Sequence, residues 1–246
     1  MVSMQESYPD WTLRTGMLLG EDGLERLSAS RVAVVGVGGV GSAAAEMLTR
    51  AGVGHLVLID SDTVSDTNRN RQIIALTSNV GRPKCEVLRE RLKDINPEID
   101  VQIVSDYISE QNIPFIFDPL ELDFVVDAID TLSPKIALIQ YCLGRGLQLV
   151  SSMGSGAKLD ATAVRVGDIS QTRQCPLAHM LRKRLHKLGI FEGFQAVYSI
   201  EEPRRDSVVL EESRNKKSQV GSISYLPVVF GCVCAQVVIG RIAEVE

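Results

Sequence analysis

The residues able to do chemistry gather in the first 130 positions. Gly36, Gly38, Gly39 and Gly41 fall in one run, VVGVGGVGS, and an acid, Asp60, ends the next apolar run, HLVLID. Glycines let backbone N–H groups approach a phosphate, and an acid placed after them accepts hydrogen bonds from a ribose. Two cations, Arg71 and Lys84, flank a polar loop beyond Asp60. Two acids, Asp127 and Asp130, follow a further apolar run, LDFVV. Carboxylates there suit Mg²⁺ carried by a nucleotide triphosphate, and equally suit the cap of the helix opening near Ser133-Pro134. Of the two, Asp127 reads as mostly structural and Asp130 as the metal residue.

The elements that must position these groups are legible in the apolar pattern. Val32–Val35 reads as a strand buried on both faces, Ser42–Arg50 as a helix opened by the glycine turn, and His55–Ile59 as the next strand. Strand, glycine turn, helix, strand and acid together form a nucleotide-binding fingerprint that fits NAD as well as ATP. Pro83 suits the first turn of a helix carrying Val87, Leu88, Leu92 and Ile95 at helical spacing. Arg71 and Lys84 then sit beside a strand's carboxyl end, where open α/β sheets hold their ligands. Further strands are predicted at Val101–Val104, Leu122–Val126 and Leu147–Ser151, with helices over 106–117 and Ile136–Arg145. Ser152–Gly156 is a second loop of small residues, open to a ligand or simply a turn.

The fold class that follows is α/β: a Rossmann-like, doubly wound, mainly parallel sheet with helices on both faces and a C-terminal extension completing the sheet. With 246 residues and 45% hydrophobic content, the chain suits one domain over 1–246. Its parts are an N-terminal helical segment (1–30) with Gly20 and Gly23 as interruptions, a nucleotide-binding core (31–155), and a substrate and dimer half (156–246). Five cysteines without a Cys-x-x-Cys pair fit a reducing cytoplasm and give no zinc signature. The N-terminus shows no signal peptide. Tyr225–Gly240 is apolar but shorter than a bilayer span and carries Pro227 and Gln236, so a buried helix is expected rather than a membrane anchor.

The second half is basic within an acidic chain of net charge -5. After a strand at Ala163–Val166, no acid occurs from Ile169 through Phe191, whereas Arg173, Arg182, Lys183, Arg184 and Lys187 do. Met180, Leu181, Leu185 and Leu188 supply the apolar face of a helix beginning near Pro176. Such a helix contacts a polyanion or presents an ordinary solvated face; charge alone leaves both open. Arg204, Arg205, Arg214, Lys216 and Lys217 extend the excess around a short strand at Val208–Leu210.

The motifs GVGGVGS (Gly36–Ser42), LID (Leu58–Asp60), NRNRQ (Asn68–Gln72), GRPK (Gly81–Lys84) and DAID (Asp127–Asp130) together resemble the ThiF/MoeB/HesA family, relatives of ubiquitin-activating enzymes. The resemblance implies adenylation of a carboxylate with ATP and Mg²⁺. Gly38 to Gly41 would cradle phosphates, with Gly36 closing the turn, and Asp60 would bind the ribose. Arg71 and Lys84 would neutralise phosphates and Asp130 would hold Mg²⁺. Asn68 and Gln72 match polar positions around the same nucleotide. NAD has no use for the Arg71–Lys84–Asp130 set. The second half is similar to the branch that dehydrates threonylcarbamoyladenosine in tRNA, which gives Arg173, Arg182, Lys183, Arg184 and Lys187 an RNA backbone to meet. That branch implies a homodimer, a monovalent cation (Na⁺ or K⁺) near Ser222–Tyr225 and Gly231, and a sulfur-relay protein as a possible partner. Arg14 matches the second arginine of a family Arg-x-x-Arg that reaches the partner subunit's ATP; on its own it reads as a surface arginine. Cys175 replaces a familial acid and reads as a bystander. The competing activity is adenylation of the C-terminal carboxylate of a ubiquitin-like sulfur carrier, against which the missing zinc cysteines count.

Overall fold

The computed structural model describes residues 8–210 and 218–245. Arg214, Lys216 and Lys217 lie outside them. The chain runs α1 (Leu13–Ala29), β1 (Arg31–Val35), α2 (Gly39–Ala51), β2 (His55–Ile59), α3 (Lys84–Ile95), β3 (Asp100–Val104), α4 (Ile113–Phe117), β4 (Phe124–Asp127), α5 (Leu132–Arg145) and β5 (Gln148–Ser152). It continues with β6 (Val164–Asp168), α6 (Pro176–His186), β7 (Gln195–Ser199), β8 (Val208–Leu210), β9 (Ser218–Val220) and α7 (Tyr225–Ala243).

Seven strands form one sheet in the order β3-β2-β1-β4-β5-β7-β6. All neighbours are parallel except β6, which runs antiparallel to β7 at the edge. The order reverses at β1, where the chain leaves for β2 on one side and later returns to β4 on the other. In open α/β sheets such a reversal is where the crevice for a ligand lies, above the carboxyl ends. The alternation along β1 shows how both faces are covered. Val32 and Val34 pack into a core with α2, α3 and α7, while Ala33 and Val35 pack into a second core with α4, α5 and α6.

Several elements differ from their sequence expectation. The helix expected over 106–117 forms only at Ile113–Phe117, because Asn112 turns its carboxamide back onto Ser109 and Tyr107 and holds the preceding stretch as a loop. Strand β7 was not anticipated, since FQAVYSI is short and follows a basic helix without a clear turn signal. Its residues Ala196, Val197, Tyr198 and Ser199 are buried, so β7 carries the sheet into the C-terminal half. In α1, Gly20 takes φ 76°, a non-helical value that breaks the helix in two as its position suggested.

The apolar C-terminal helix α7 is built into the core. Leu226, Phe230, Cys234 and Val238 are fully buried on one side. At Gly231 a Cβ would collide with the Val40 carbonyl and lie 2.7 Å from Ala43 Cβ, so this glycine sets how closely α7 and α2 approach. Its 19 residues are long and apolar enough to cross a membrane, and 44% of its most apolar window is buried within the protein.

Candidate functional site at the carboxyl ends of the parallel strands

The glycine turn is locked from below and open above. Gly36 has φ 88° and donates its N–H to Ile59 O at 2.8 Å, while a Cβ there would press on Ala128 O at 2.9 Å. A Cβ on Gly41 would collide with Gly36 O, and one on Gly39 would meet Pro227 Cβ at 2.9 Å and Arg71 O at 3.2 Å. These three glycines are required by protein packing. Gly38 is different: a Cβ there meets only Gln72 Nε2, at 3.7 Å, so the protein leaves room above it. Gly38 caps α2, Ser42 bonds back to Gly38 O at 2.6 Å, and the first-turn N–H groups of α2 have no partner within the helix. That arrangement is a receptor for an anion.

Asp60 buttresses the turn. Its Oδ2 accepts from Val37 N at 2.6 Å and its Oδ1 from Asp62 N at 2.8 Å, leaving further lone pairs for a ligand hydroxyl. Burial pushes its carboxyl above the ordinary range, against the pull of Lys84 and the two N–H groups. Lys84 is 5% exposed and holds Asp62 Oδ2 at 2.7 Å, so its ammonium is kept beside Asp60 with a replaceable partner. Arg71 is partly buried and is oriented by Thr67 O at 3.0 Å and Asn70 Oδ1 at 2.9 Å. Asn68 spends its Oδ1 on Ser65 N at 3.2 Å in a capping box that shapes this loop.

Gln72 carries the sharpest signal. It is 8% exposed, faces Gly38, and its Oε1 is buried with no hydrogen-bond partner among the described residues. An orphaned acceptor of this kind costs about 1–3 kcal/mol and calls for a donor from a ligand or water. The open Gly38, the unspent helix N-terminus and the Gln72 oxygen therefore fit a nucleotide.

Asp127 and Asp130 differ in their surroundings. Asp127 is fully buried and pairs with Lys135 Nζ at 2.8 Å, with Ser151 Oγ and Ile129 N completing its acceptor set. Lys135 also donates to Ile129 O at 3.0 Å and so fixes the backbone leading to Asp130. Lys135 was missed by sequence reasoning; the signal for it was a lysine directly before the apolar run Ile136 to Ile139. Asp130 is exposed at the carboxyl end of β4. Among the described residues no group of three or more His, Cys, Asp or Glu could hold a metal by itself. One carboxylate with substrate phosphates is the usual set for Mg²⁺, and Asp130 is the residue that would supply it.

In the second small-residue loop Gly156 is spent on packing, since a Cβ there would press on Val220 at 2.8 Å, whereas one on Gly154 would lie in ordinary contact with Cys175 Sγ at 3.4 Å. Cys175 Sγ caps α6 by accepting from Ala178 N at 3.5 Å. Lys158, unremarkable in sequence, is 3% exposed and donates to Gln174 O, Ser199 O and Glu201 O at 2.8, 3.0 and 2.5 Å, tying this loop to α6 and β7. Burial pushes the thiols of Cys85, Cys142 and Cys234 up to about 12, so all three stay protonated and non-nucleophilic near neutral pH.

The remaining sequence candidates are dispersed. Arg14 is exposed in the first turn of α1, beside exposed Trp11, Leu13, Met17 and Leu18. Arg173, Lys183, Arg184 and Lys187 are exposed and make no ion pair among the described residues. Arg182 instead turns inward to Thr172 O and Thr172 Oγ1, which gives it a structural contact. Gly231, grouped by sequence with a cation-binding loop, lies inside α7 against α2, where its close packing explains it. Ser222 O accepts from Asn70 Nδ2 at 3.0 Å, joining that loop to the nucleotide side.

Fold and crevice together define an α/β nucleotide-binding protein of the adenylating type, and the comparisons agree: the ThiF family model matches residues 13–246, and the chain belongs to that family. Within it, the chain is 41% identical over 242 residues to the tRNA threonylcarbamoyladenosine dehydratase of Bacillus subtilis, covering 95% of each. The corresponding Escherichia coli protein, in its crystal structure with ATP, superposes with a TM-score of 0.86 at 36% identity over 94% of this chain and 93% of its own. The E. coli molybdopterin-synthase adenylyltransferase is 39% identical over 130 residues, 53% of this chain and 51% of its own.

Proposed function

We propose that the chain catalyses the ATP-dependent dehydration of N6-threonylcarbamoyladenosine in tRNA. The observation that carries this reading is the extent of the likeness. It runs nearly end to end with a tRNA dehydratase, the basic half included, but covers only 53% of the chain for a molybdopterin-synthase adenylyltransferase. The competing reading, a ubiquitin-like carrier's C-terminus as substrate, is the weaker for that reason.

The chemistry fits the crevice. One oxygen of the threonine carboxylate attacks the α-phosphorus of ATP, and the bond to the bridging oxygen breaks to release pyrophosphate. The ureido nitrogen then attacks the activated carbonyl, closing a five-membered ring; AMP departs and the nitrogen loses its proton. The net change in the nucleoside is loss of water. Because the nucleophile is already tethered to the carbonyl, no catalytic thiol is needed, in keeping with the protonated buried cysteines.

In this proposal the first turn of α2, from Gly38 to Gly41, receives phosphate oxygens, and Asp60 accepts from the ribose. Gln72 gains the donor it lacks. Lys84, released from Asp62, and Arg71 place positive charge where negative charge develops on the departing pyrophosphate. Mg²⁺ held by Asp130 would supply further charge neutralisation there. Arg173, Lys183, Arg184 and Lys187 meet the RNA backbone. Arg14 and the apolar residues around it form the contact of a homodimer, through which Arg14 reaches the partner's nucleotide. The enzyme acts in the cytoplasm.

The test is incubation with modified tRNA and MgATP, followed by mass analysis of the nucleosides under mild conditions. The expected product is lighter by one water, with AMP released in step. AMP formation only with a carrier protein ending in a free C-terminal carboxylate would establish the competing reading.

A further inference from the structure

Helix α6 ends in a feature that its charges alone do not explain. Gly189, at φ 77°, closes the helix: its N–H bonds to His186 O at 3.2 Å and the next N–H, of Ile190, returns to Leu185 O at 3.0 Å. This is the paired closure that typically brings the residues around it into apolar contact. Ile190 packs down against the core that includes Leu185. The following residue, Phe191, is thereby turned outward and lies over His186, with ring centroids 4.9 Å apart and planes inclined at 32°. Phe191 nonetheless remains 60% exposed. A large aromatic ring is thus held by a second ring on one side and left open to solvent on the other.

The surroundings select its ligand. Lys183, Arg184 and Lys187 follow at i, i+1 and i+4 on the exposed side of the same helix end, and the segment from Ile169 to Phe191 has no acid. An aromatic face beside cations that make no ion pair among the described residues matches a nucleobase attached to a phosphate backbone. We propose that Phe191, steadied by His186, is a stacking site for one unpaired base of the RNA substrate, with Lys183, Arg184 and Lys187 holding its phosphates. This inference rests on the tRNA reading above and adds a binding site to it.

The placement suits that role. The N-terminus of α6 is fixed at the strand carboxyl ends by Cys175 against Gly154, and α6 extends from Pro176 to His186. Eleven residues at 1.5 Å each place the aromatic pair about 16 Å along the helix from that end. A base delivered into the crevice must leave its stack, so its neighbours lose stacking partners. A fixed ring at this distance offers one of them a replacement.

The test separates stacking from charge. Phe191→Ala, Phe191→Trp and the Lys183→Ala/Arg184→Ala pair are compared with the parent protein in affinity for modified tRNA across a salt series, alongside ATP-dependent turnover of the isolated modified nucleoside. Phe191→Ala should weaken tRNA binding about five- to fifty-fold with an unchanged salt slope, as expected for loss of one stacked base. Phe191→Trp should restore binding, and the Lys183/Arg184 variant should lower the salt slope instead. Nucleoside turnover should be unaffected by Phe191→Ala. Unaltered tRNA affinity in Phe191→Ala would overturn the proposal, and a changed oligomeric state with unaltered RNA affinity would assign the ring to a protein contact. Failure of the parent protein to dehydrate either substrate would instead overturn the tRNA reading itself.

Discussion

Asp60 and Asp127 stand at the carboxyl ends of β2 and β4, the two strands that flank β1, and the chain treats them in opposite ways. Asp127 is saturated by Lys135, Ser151 and Ile129, all within 3.1 Å and without solvent. Among the described residues Asp60 accepts from two backbone N–H groups, and burial raises its carboxyl above the ordinary range. The cation nearest to it, Lys84, is paired with the largely exposed Asp62 rather than with Asp60 itself. An acid whose acceptors are all used is a piece of framework. One whose pairing is incomplete, beside a cation with an exchangeable partner, is prepared for a ligand. Residue type is the same in both cases, but Asp127 is the last residue of β4, level with Ile59, whereas Asp60 lies one residue beyond β2, and the fold places different side chains opposite the two.

The largest effect expected from this contrast is at Lys135. Lys135→Ala leaves Asp127 buried without its counter-ion and should lower stability by about 3–5 kcal/mol, read by denaturant unfolding. A variant as stable as the parent would show that Asp127 does not depend on the pair. Next comes Lys84→Ala. Here the loss of stability should be smaller than at Lys135, about 0.5–3 kcal/mol, since the exposed partner Asp62 regains water. Pyrophosphate release should fall about 100- to 1,000-fold in kcat/KM, the scale for removing one charge from a developing oxyanion. If the loss appears in stability and not in turnover, Lys84 belongs with Lys135 and the contrast fails. The smallest effect is at Gln72. Gln72→Leu removes the unsatisfied oxygen, so the fold should be unchanged or up to about 1 kcal/mol more stable. The same change should raise KM for ATP about 5- to 10-fold, measured by titrating ATP in the pyrophosphate assay.

Much of the nucleotide half was legible because its signals are local. Glycines at a strand-to-helix turn and continuous valine runs report backbone geometry and burial directly, so β1, α2 and β2 could be read within a few residues of their boundaries. The second half was harder. Strand β7 is five residues long and finds its place only by pairing with β5 on one side and β6 on the other. Gly231 looked like part of a loop, yet it is the contact between α2 and α7, helices that are far apart in sequence. Arg182 looked like one more cation for a polyanion, yet Thr172 claims it. For β7 and Gly231 a long-range neighbour decided the role, and no short window of sequence contains it; for Arg182 the partner is nearby in the chain, but only the turn into α6 brings the two side chains together.

The division is therefore physical. By itself, the sequence determined the alternation of strands and helices, the glycine turn with its acid, and the cations and acids available at the strand ends, since hydrophobic period and backbone freedom are properties of short segments. Only the tertiary structure decided that Asp127 is spent on Lys135 while Asp60 stays open, that Gly38 alone among the turn glycines has room above it, and that Gln72 lacks a partner. Hydrogen-bond saturation and burial are sums over neighbours from distant parts of the chain, and they exist only once the sheet has closed around the site.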